Sequence, residues 1–403
     1  MLTLSIEEAR AGMRLAVSVP HPVHPDQDLL TAGYTLDDLV LRKMRELGIT
    51  FLYVDYPPLA DLDWAMLPHL SPARKNLYSQ IKRTIEAVQK HCRPQASYAS
   101  YYTLTRQFVL SIMQQGKQPF YVDELSLRVG TGAVVHATTV AHLSLMLGIG
   151  LEDHIVRQRP RMHHDHMREL LNLGVAGMLH DVGKAALPPH LQNATTLRPP
   201  ETEADRRIWQ THPQLGYDMI RSDVEPTTAA AVRLHHQHFD GSGFPRHDAD
   251  TPSRNFYEGN RIHIYGRIVF AADLYDRLSY RFDARRRYSF EVLHHMHSRE
   301  EGWLDPEIIA ALPRVIPPFP PGMKVQLSDN SQAVVVSHSA KTPYRPMVRQ
   351  FDADGWTLNG RLIDLAREEG LEIKLAAGVP VAGFMPEESA AEANEDRPVV
   401  GSN

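Results

Sequence analysis

The chain has 403 residues, of which 43% are apolar and 23% are charged, and its formal net charge is -5. This length is typical of two or three domains with enough apolar material for a core, and the mildly acidic balance argues against a nucleic-acid polymer as partner. The single cysteine, Cys92, excludes a disulfide framework. The N-terminus lacks the features of a signal peptide, and no segment approaches the ~20 apolar residues of a membrane span. The composition therefore predicts a cytoplasmic protein with no membrane partner.

Residues 1–58 are predicted to form a small α+β module. Alternating apolar positions over 13–19 are typical of a strand, and apolar residues recur at helical spacing over 36–47 until Gly48 ends the helix. The apolar run 51–54 predicts a further strand.

Four regions follow this module. Residues 59–120 are predicted to be helices rich in Lys, Arg, Gln and Tyr, without a chemical motif, and are a candidate dimer or relay element. Residues 121–315 are helical and contain almost all chemically suggestive residues. Residues 316–385 form a β-rich segment whose first hairpin turns at Asp329, and the Ala-, Glu- and Asn-rich tail 386–403 is predicted to be disordered.

An adjacent histidine and aspartate, His180 and Asp181, follow an apolar helix over 170–179. A buried aspartate is costly unless it is paired or binds a metal ion. One imidazole and one carboxylate form a mixed ligand set that suits Fe, Mn or Zn. Lys184 comes one helical turn after His180, which places both on one side of a helix. By itself, however, a His-Asp pair favours a structural role.

Further histidines and an aspartate occupy positions where burial is expected. His136 lies on the apolar stripe of its helix, and Asp273 lies within an otherwise apolar helix. His235 and His236 follow a predicted helix over 226–234, just before a Gly/Pro-rich loop, and His212 precedes a proline in the middle of the helical region. One such residue can be a hydrogen-bonded core side chain, but seven in one domain favour a metal site.

This pattern resembles the HD-GYP family, a branch of the HD superfamily of metal-dependent phosphohydrolases. The shared features are the HD-x-G-K core at 180–184, the His-Pro at 212–213 with Gly216 downstream, the HH-x-x-x-DG-x-G-x-P signature at 235–245, and Asp273. The resemblance covers about 121–315. The flanking segments are also similar to an N-terminal module and a small barrel that often accompany these domains.

The resemblance implies a mainly α fold, in which a helical HD-type phosphohydrolase domain is flanked by a small α+β module and a β-rich, barrel-like segment. It also implies two divalent ions, Fe or Mn, that share a hydroxide and hydrolyse cyclic di-GMP to the linear dinucleotide or on to GMP. Asp181 would bridge the ions, and Lys184 would contact the scissile phosphate. The implied ligands are His136, His180, Asp181, His212, His235, His236 and Asp273.

The chain departs from the family at four positions. A glutamate that binds a third metal in some members is replaced by Gly132, which predicts two metals, and the usual glutamate after the paired histidines is Gln237. Phe244 replaces the tyrosine of GYP, so the ring can stack on a guanine but its hydroxyl is gone. The arginine-bearing segment that follows the last aspartate in the family is altered here, and Arg281 is the first choice for the residue that contacts a substrate phosphate. The predicted substrate contacts are Asp240, Gly243, Phe244, Pro245 and Arg281.

Several polar residues have an ordinary structural interpretation. Asp240 suits a turn cap as well as a substrate contact. The histidines of 163–166 lie in a polar inserted loop, those of 294–297 in a mixed polar helix, and the arginines of 285–287 are typical of a solvated face. His142 lies off the apolar stripe of its helix, which favours a surface position, or one behind a ligand, over a ligand role.

Two classes of function are compatible with these residues. The first is a phosphodiesterase that acts on cyclic di-GMP or on another cyclic dinucleotide. The second is a weakly active or inactive module that binds a cyclic dinucleotide or a signalling protein. The first is favoured because none of the seven predicted ligands is lost. Homodimer formation is left open.

Overall fold

The computed structural model describes residues 1–20, 28–60, 133–159, 166–245, 257–279, 287–298 and 302–384, with four single positions at 103, 106, 107 and 110. Most of the predicted helical region 59–120 and the whole tail 386–403 lie outside these residues. The described part is mainly helical, with small sheets near both ends of the chain, as predicted. Within it, no helix combines the length and the apolar character needed to cross a bilayer.

The N-terminal module contains one helix and two short antiparallel sheets. Helix α1 is Asp38–Glu46, and the strands are β1 Leu2–Ser5, β2 Val19–Pro20, β3 Asp28–Leu30 and β4 Phe51–Val54. Strand β1 pairs with β4, and β2 pairs with β3. The Asp37 side chain caps α1 by accepting a hydrogen bond from the Val40 amide at 2.8 Å.

The predicted strand over 13–19 forms only in part. The chain bends after Leu15, because Leu15 bridges to Val54 whereas Val19 pairs with Leu30 in the other sheet. Both Leu15 and Val19 are buried, so the apolar alternation reports real core positions. The two residues pair with different strands, and a single alternating pattern does not show this.

The helical domain follows in the chain and contains nine α-helices among the described residues. They are α2 Ala133–Gly150, α3 Glu152–Gln158, α4 His166–Leu179, α5 Glu203–Trp209, α6 His212–Ile220, α7 Pro226–Leu234, α8 Ile264–Leu278, α9 Ser289–Ser298 and α10 Pro306–Val315. A short 3-10 helix, Val182–Ala186, follows α4.

Helices α2 and α8 form the centre of this domain. From 137 to 148, α2 is buried on all sides, and α8 is buried from 264 to 276. A helix that is buried all round must lie inside the domain rather than on its surface. The largest apolar cluster of the described residues includes Leu143, Met146, Phe270 and Tyr275 from these two helices. The interior position of α2 and α8 brings the polar residues that they carry into the core.

A buried ion pair connects α8 to α10. Arg267 on α8 contacts Asp305, which also caps α10 through a 2.9 Å hydrogen bond from the Glu307 amide. The remaining guanidinium N–H groups donate to Gln158 and Asn260 side chains at 3.1 Å. The charge is therefore neutralised and hydrogen-bonded, which a buried arginine requires.

The C-terminal segment forms a six-stranded antiparallel sheet. Its strands are β5 Lys324–Leu327, β6 Gln332–Ser337, β7 Met347–Phe351, β8 Leu358–Asp364, β9 Ile373–Ala376 and β10 Val379–Pro380. The order is β10-β9-β5-β6-β7-β8, with β10 and β8 at the edges. The predicted turn at Asp329 connects β5 to β6 and places Asn330 at φ 68°.

The N-terminal module packs on this sheet, although the two are far apart in the chain. Leu2 and Leu52 share one apolar core with Val334 and Phe351. The Thr3 amide also donates a 2.7 Å hydrogen bond to the Gly322 carbonyl. The two ends of the described chain therefore form one packed unit beside the helical domain.

Candidate metal centre

The seven predicted metal ligands come together in one cluster. His136 lies on α2, His180 and Asp181 follow the end of α4, and His212 is the first residue of α6. His235 and His236 follow the end of α7, and Asp273 lies in the middle of α8. Five of them are fully buried, whereas the His136 and Asp181 side chains are 11% and 16% exposed. The cluster is thus closed on one side and open to solvent on the other.

Asp181 lies at the middle of the cluster and directs its two carboxylate oxygens to different histidines. Oδ1 lies 3.3 Å from His212 Nε2 and 3.6 Å from His235 Nε2. Oδ2 lies 3.4 Å from His180 Nε2 and 3.8 Å from His136 Nε2. A carboxylate between two sets of imidazoles has the arrangement expected of a ligand shared by two ions.

We name the two sides of the cluster by one histidine each. The His212 half consists of Asp181 Oδ1, His212, His235 and His236. The His136 half consists of Asp181 Oδ2, His136, His180 and Asp273. Asp273 is included because its Oδ1 lies 2.9 Å from His136 Nε2 and 3.7 Å from His180 Nε2.

Three of the histidines are oriented by the same kind of local hydrogen bond. Each donates its Nδ1–H to the backbone carbonyl three residues earlier, at 2.7 or 2.8 Å: His180 to Gly177, His212 to Trp209 and His235 to Val232. Such carbonyls are available because the last turn of a helix leaves them without an intrahelical partner. This hydrogen bond fixes the tautomer and leaves Nε2 for a metal ion, which is how metal-binding histidines are oriented in proteins.

The donor set of the His212 half fits a metal ion. The Nε2 atoms of His212, His235 and His236, and Asp181 Oδ1, are buried and have no hydrogen-bond partner within the described part of the chain. Buried polar atoms are almost always paired, so four such atoms that point into one space indicate a bound group. Imidazole nitrogens and a carboxylate are suitable ligands for Fe, Mn or Zn. The cluster could therefore bind metal ions.

Additional charged side chains surround the His136 half. Asp276 Oδ2 accepts a 2.7 Å hydrogen bond from His136 Nδ1, which orients that ring from behind. Lys184 Nζ donates to Asp181 Oδ2 at 2.7 Å. The predicted one-turn relation of Lys184 to His180 is not formed, because α4 ends at Leu179 and a tighter 3-10 helix follows. Lys184 consequently faces the carboxylate of Asp181.

Arg277 is a member of the cluster that the sequence patterns did not indicate. Its Nη2 donates to Asp181 Oδ2 at 3.0 Å and to His136 Nε2 at 2.9 Å. Its Nε lies 2.6 Å from Asp273 Oδ1, although the two are not aligned as a hydrogen bond. Asp276 and Arg277 come three and four residues after Asp273, a spacing that places them on one helix face and could have been used to find both.

Burial and charge move the pKa values of the cluster in opposite directions. Burial lowers the pKa of His212 to about 4 and lowers the pKa values of His235 and His236 as well. For His180, the carboxylates of Asp181 and Asp273 outweigh burial and raise the pKa to about 9. Neutral imidazole is the form that binds metal, so the His212 half is ready to bind at neutral pH, whereas His180 must first release a proton.

Comparison with known proteins agrees with these motifs. The model of the HD domain family matches residues 151–308, a range that contains every predicted ligand except His136. The chain is 26% identical over 223 residues to the cyclic di-GMP phosphodiesterase PA4108 of Pseudomonas aeruginosa, covering 54% of this chain and 47% of that protein. Residues 151–308 therefore resemble an HD domain.

Two further similarities are to a curated relative and to a solved structure. The chain is 30% identical over 145 residues to the 3'3'-cGAMP-specific phosphodiesterase 3 of Vibrio cholerae, covering 35% of this chain and 28% of that protein. It therefore spans less than half the length of the curated relatives it matches. The solved structure of Bd1817, an HDG"Y"P protein from Bdellovibrio bacteriovorus, is similar at a TM-score of 0.43 and 15% identity, covering 77% of this chain and 97% of that chain.

The Gly-Phe-Pro loop packs against the candidate metal centre. The Phe244 ring is buried and stacks on His236 with ring centroids 4.5 Å apart. The Gln237 amide donates to the Pro245 carbonyl, which a carboxylate could not do without a proton. The change from glutamate to Gln237 thus supports the loop directly. A contact of Gly243, Phe244 or Pro245 with substrate stays a prediction.

Other predicted positions have mixed outcomes. Asp240 is exposed and accepts a 2.8 Å hydrogen bond from the Ser242 amide, as a turn cap does, so its substrate contact stays a prediction.

His142 is buried, and the surface interpretation is wrong because α2 is enclosed on all sides at this residue. Arg281, Gly132 and residues 163–165 lie outside the described residues. In the run 285–287, only Arg287 is described, and it is half-buried and donates to the Leu278 carbonyl at 2.6 Å.

The pKa shifts predict how the stability of the metal-free protein depends on pH. The pKa of His212 falls from 6.5 to about 4 on folding, so the unfolded chain binds more protons between these values. The free energy of unfolding should therefore decrease as pH falls through this window, by about 3 kcal/mol for His212 alone. Urea unfolding of the chelator-treated protein between pH 4.5 and 7 measures this effect.

The contribution of His180 to the free energy of unfolding has the opposite pH dependence and provides an internal check. Its pKa rises from 6.5 to about 9 on folding, so its contribution is complete below pH 6.5 and is lost as pH rises towards 9. Substitution His212→Gln should flatten the acid side of the profile and leave the alkaline side unchanged. An unaltered acid side in this variant would contradict the assignment.

Proposed function

We propose that this protein is a metal-dependent phosphodiesterase that hydrolyses cyclic di-GMP in the cytoplasm. The observation that carries the proposal is the position of Asp181 between two sets of imidazole Nε2 atoms, with Oδ1 facing one and Oδ2 the other. Two divalent ions, Fe or Mn, would be held in the two halves. When bound, they would supply Lewis acidity and lower the pKa of a nucleophilic water.

The protein residues around the ions would orient and neutralise the phosphodiester. Lys184 Nζ lies beside Asp181 at the partly exposed side of the cluster, where an anionic phosphate would enter. Its ammonium group can donate to a phosphoryl oxygen and offset the negative charge of the transition state. Asp276 keeps the His136 ring in place, and the carbonyl acceptors keep His180, His212 and His235 in place, so the ligands need no rearrangement.

The choice of cyclic di-GMP is supported by the named activity of the relative PA4108, which is 26% identical over 223 residues. A second candidate substrate, 3'3'-cGAMP, is favoured by the 30% identity over 145 residues to a phosphodiesterase specific for it. Both substrates are cyclic dinucleotides with two phosphodiesters. The departures at Gln237 and Phe244 affect the loop over the site and not its ligands, so they bear on which of the two is preferred.

The proposal is tested with the purified full chain after chelation and reloading with Mn²⁺ or, under anaerobic conditions, Fe²⁺. Each preparation is incubated separately with cyclic di-GMP and 3'3'-cGAMP, and the products are separated by chromatography. We expect cyclic di-GMP to be converted to the linear dinucleotide or GMP, and turnover to stop when metal is removed again. Faster turnover of 3'3'-cGAMP would make it the preferred substrate in place of cyclic di-GMP. Metal binding without any turnover would contradict an enzymatic role and favour a binding module.

A further inference from the structure

The Arg277 guanidinium lies among the predicted ligands of the His136 half. Nη2 is within hydrogen-bond distance of both Asp181 Oδ2 and His136 Nε2, at 3.0 and 2.9 Å, and Nε is 2.6 Å from Asp273 Oδ1. Arg277 thus contacts three of the four residues that define this half. No corresponding cation contacts the Nε2 atoms of His212, His235 or His236 among the described residues, where these atoms have no hydrogen-bond partner.

The contact with His136 decides whether arginine and metal can be accommodated together. The Nδ1–H of His136 faces the Asp276 carboxylate at 2.7 Å, which leaves a single lone pair on Nε2. This lone pair accepts the hydrogen bond from Arg277. A metal ion at about 2.0–2.2 Å from the ligand atoms would need the same lone pair. The guanidinium and the ion therefore exclude each other at His136.

Charge leads to the same result. The two carboxylates of this half, Asp181 and Asp273, already face the cations Arg277 and Lys184. An arginine guanidinium stays protonated in proteins, so Arg277 keeps its charge. A divalent ion added next to an unmoved guanidinium would meet a strong repulsion in this poorly solvated space. Displacement of Arg277 relieves it.

The position of Arg277 permits such a movement. The side chains of Arg277, His136 and Asp181 are 10%, 11% and 16% exposed, whereas His212 and His235 are fully buried. Arg277 and His136 therefore lie at the open edge of the cluster, whereas His180 and Asp273 of the same half are buried. A long arginine side chain at this edge can rotate towards solvent without disturbing helix α8.

We propose that Arg277 is a tethered cation that competes with a metal ion for the His136 half, so that this half is loaded second and binds its ion more weakly than the His212 half. The inference rests on the proposed metal centre but does not depend on which dinucleotide is the substrate. Because an ion can bind only when the guanidinium is elsewhere, the apparent dissociation constant increases by the inverse of that fraction. An Arg277 that is in place in about nine-tenths of molecules weakens the second ion about tenfold.

The test is a metal titration of the chelator-treated full chain. Mn²⁺ is added and its free concentration is followed by electron paramagnetic resonance, with calorimetry as a second readout. We expect wild type to bind two ions, the second about tenfold more weakly than the first. In Arg277→Met, which keeps the length but not the charge, the second ion should bind about tenfold more tightly and the first should be unchanged. Arg277→Gln is a second neutral variant in case Arg277→Met does not fold.

Control variants identify which ion belongs to which half. Arg277→Lys keeps the charge and should keep the second ion weak. Asp273→Asn should remove the weak ion only, and His236→Gln the tight one only. Equal affinity for the second ion in wild type and both neutral variants would overturn the inference while the proposed metal centre stands. Loss of the second ion in folded neutral variants would also overturn the inference. If neither the wild type nor any variant bound Mn²⁺, both the proposed metal centre and the competition by Arg277 would be contradicted.

Discussion

Asp181→Asn is expected to abolish metal-dependent turnover and to weaken Mn²⁺ binding in both halves of the cluster. Among the described residues, Asp181 is the one whose two oxygens face both sets of imidazoles, so its replacement removes a negative ligand from each half at once. Metal ions contribute several kcal/mol to the stabilisation of such transition states, so kcat/KM should decrease by about 10³-fold or more. Steady-state assays and metal analysis of the same samples measure both effects.

Asp276→Asn is the graded control for this prediction. Asp276 touches only His136, through the 2.7 Å hydrogen bond to Nδ1, and faces no other predicted ligand among the described residues. Loss of such an orienting carboxylate costs about 10- to 100-fold in metal affinity or activity. Its effect should be confined to the more weakly bound ion. If Asp181→Asn retained both ions at wild-type affinity, Asp181 would not be a shared ligand.

Gly183→Ala is expected to disrupt the cluster through the backbone. A Cβ atom at this position would lie 2.0 Å from the His212 carbonyl oxygen and 2.5 Å from the Gly216 amide nitrogen. Both are backbone atoms of α6, so the helix would have to shift and would carry His212 away from Asp181. Overpacking of this kind costs about 1–3 kcal/mol or more. Urea unfolding and Mn²⁺ titration should show lower stability together with a weakened tight ion.

Gly370→Ala provides a matched control. A Cβ atom at Gly370 would meet nothing within 4 Å, and its backbone is not in the left-handed region. The same chemical change should therefore leave stability within about 0.5 kcal/mol of wild type, as for most surface substitutions. Retention of wild-type stability and tight Mn²⁺ binding in Gly183→Ala would show that α6 can shift without cost to the site.

The chemical pattern of the cluster could be predicted because unusual residues occur in unusual places. A single histidine or aspartate in an apolar helix can be a hydrogen-bonded core residue, but seven in one domain predict a metal site. The structure brings all seven together. Arg277 was overlooked because an arginine in a helix is ordinary in sequence. Its significance comes from three partners on α2, after α4 and on α8 that only folding brings to it.

The same distinction applies to the fold. Helix α7 and strand β4 have the predicted bounds because their signals are local: a proline at the helix start, a histidine pair at its end and a short apolar run. Strand β1 was not predicted, since its identity depends on pairing with β4 about fifty residues later. The apolar stripe of α2 predicts for His142 a surface position or one behind a ligand. The surface alternative is wrong, because neighbouring helices enclose α2 from 137 to 148.

By itself, then, the sequence determined the resemblance to an HD-type domain, the helical class and the candidate metal-binding side chains, because these follow from residue chemistry and short-range spacing. The tertiary structure decided three other matters: the division of Asp181 between two halves, the packing of the N-terminal module on the C-terminal sheet, and the insertion of Arg277 into the His136 half. Each depends on distances between side chains that are remote in the chain, and such distances are set by the packing of the whole core.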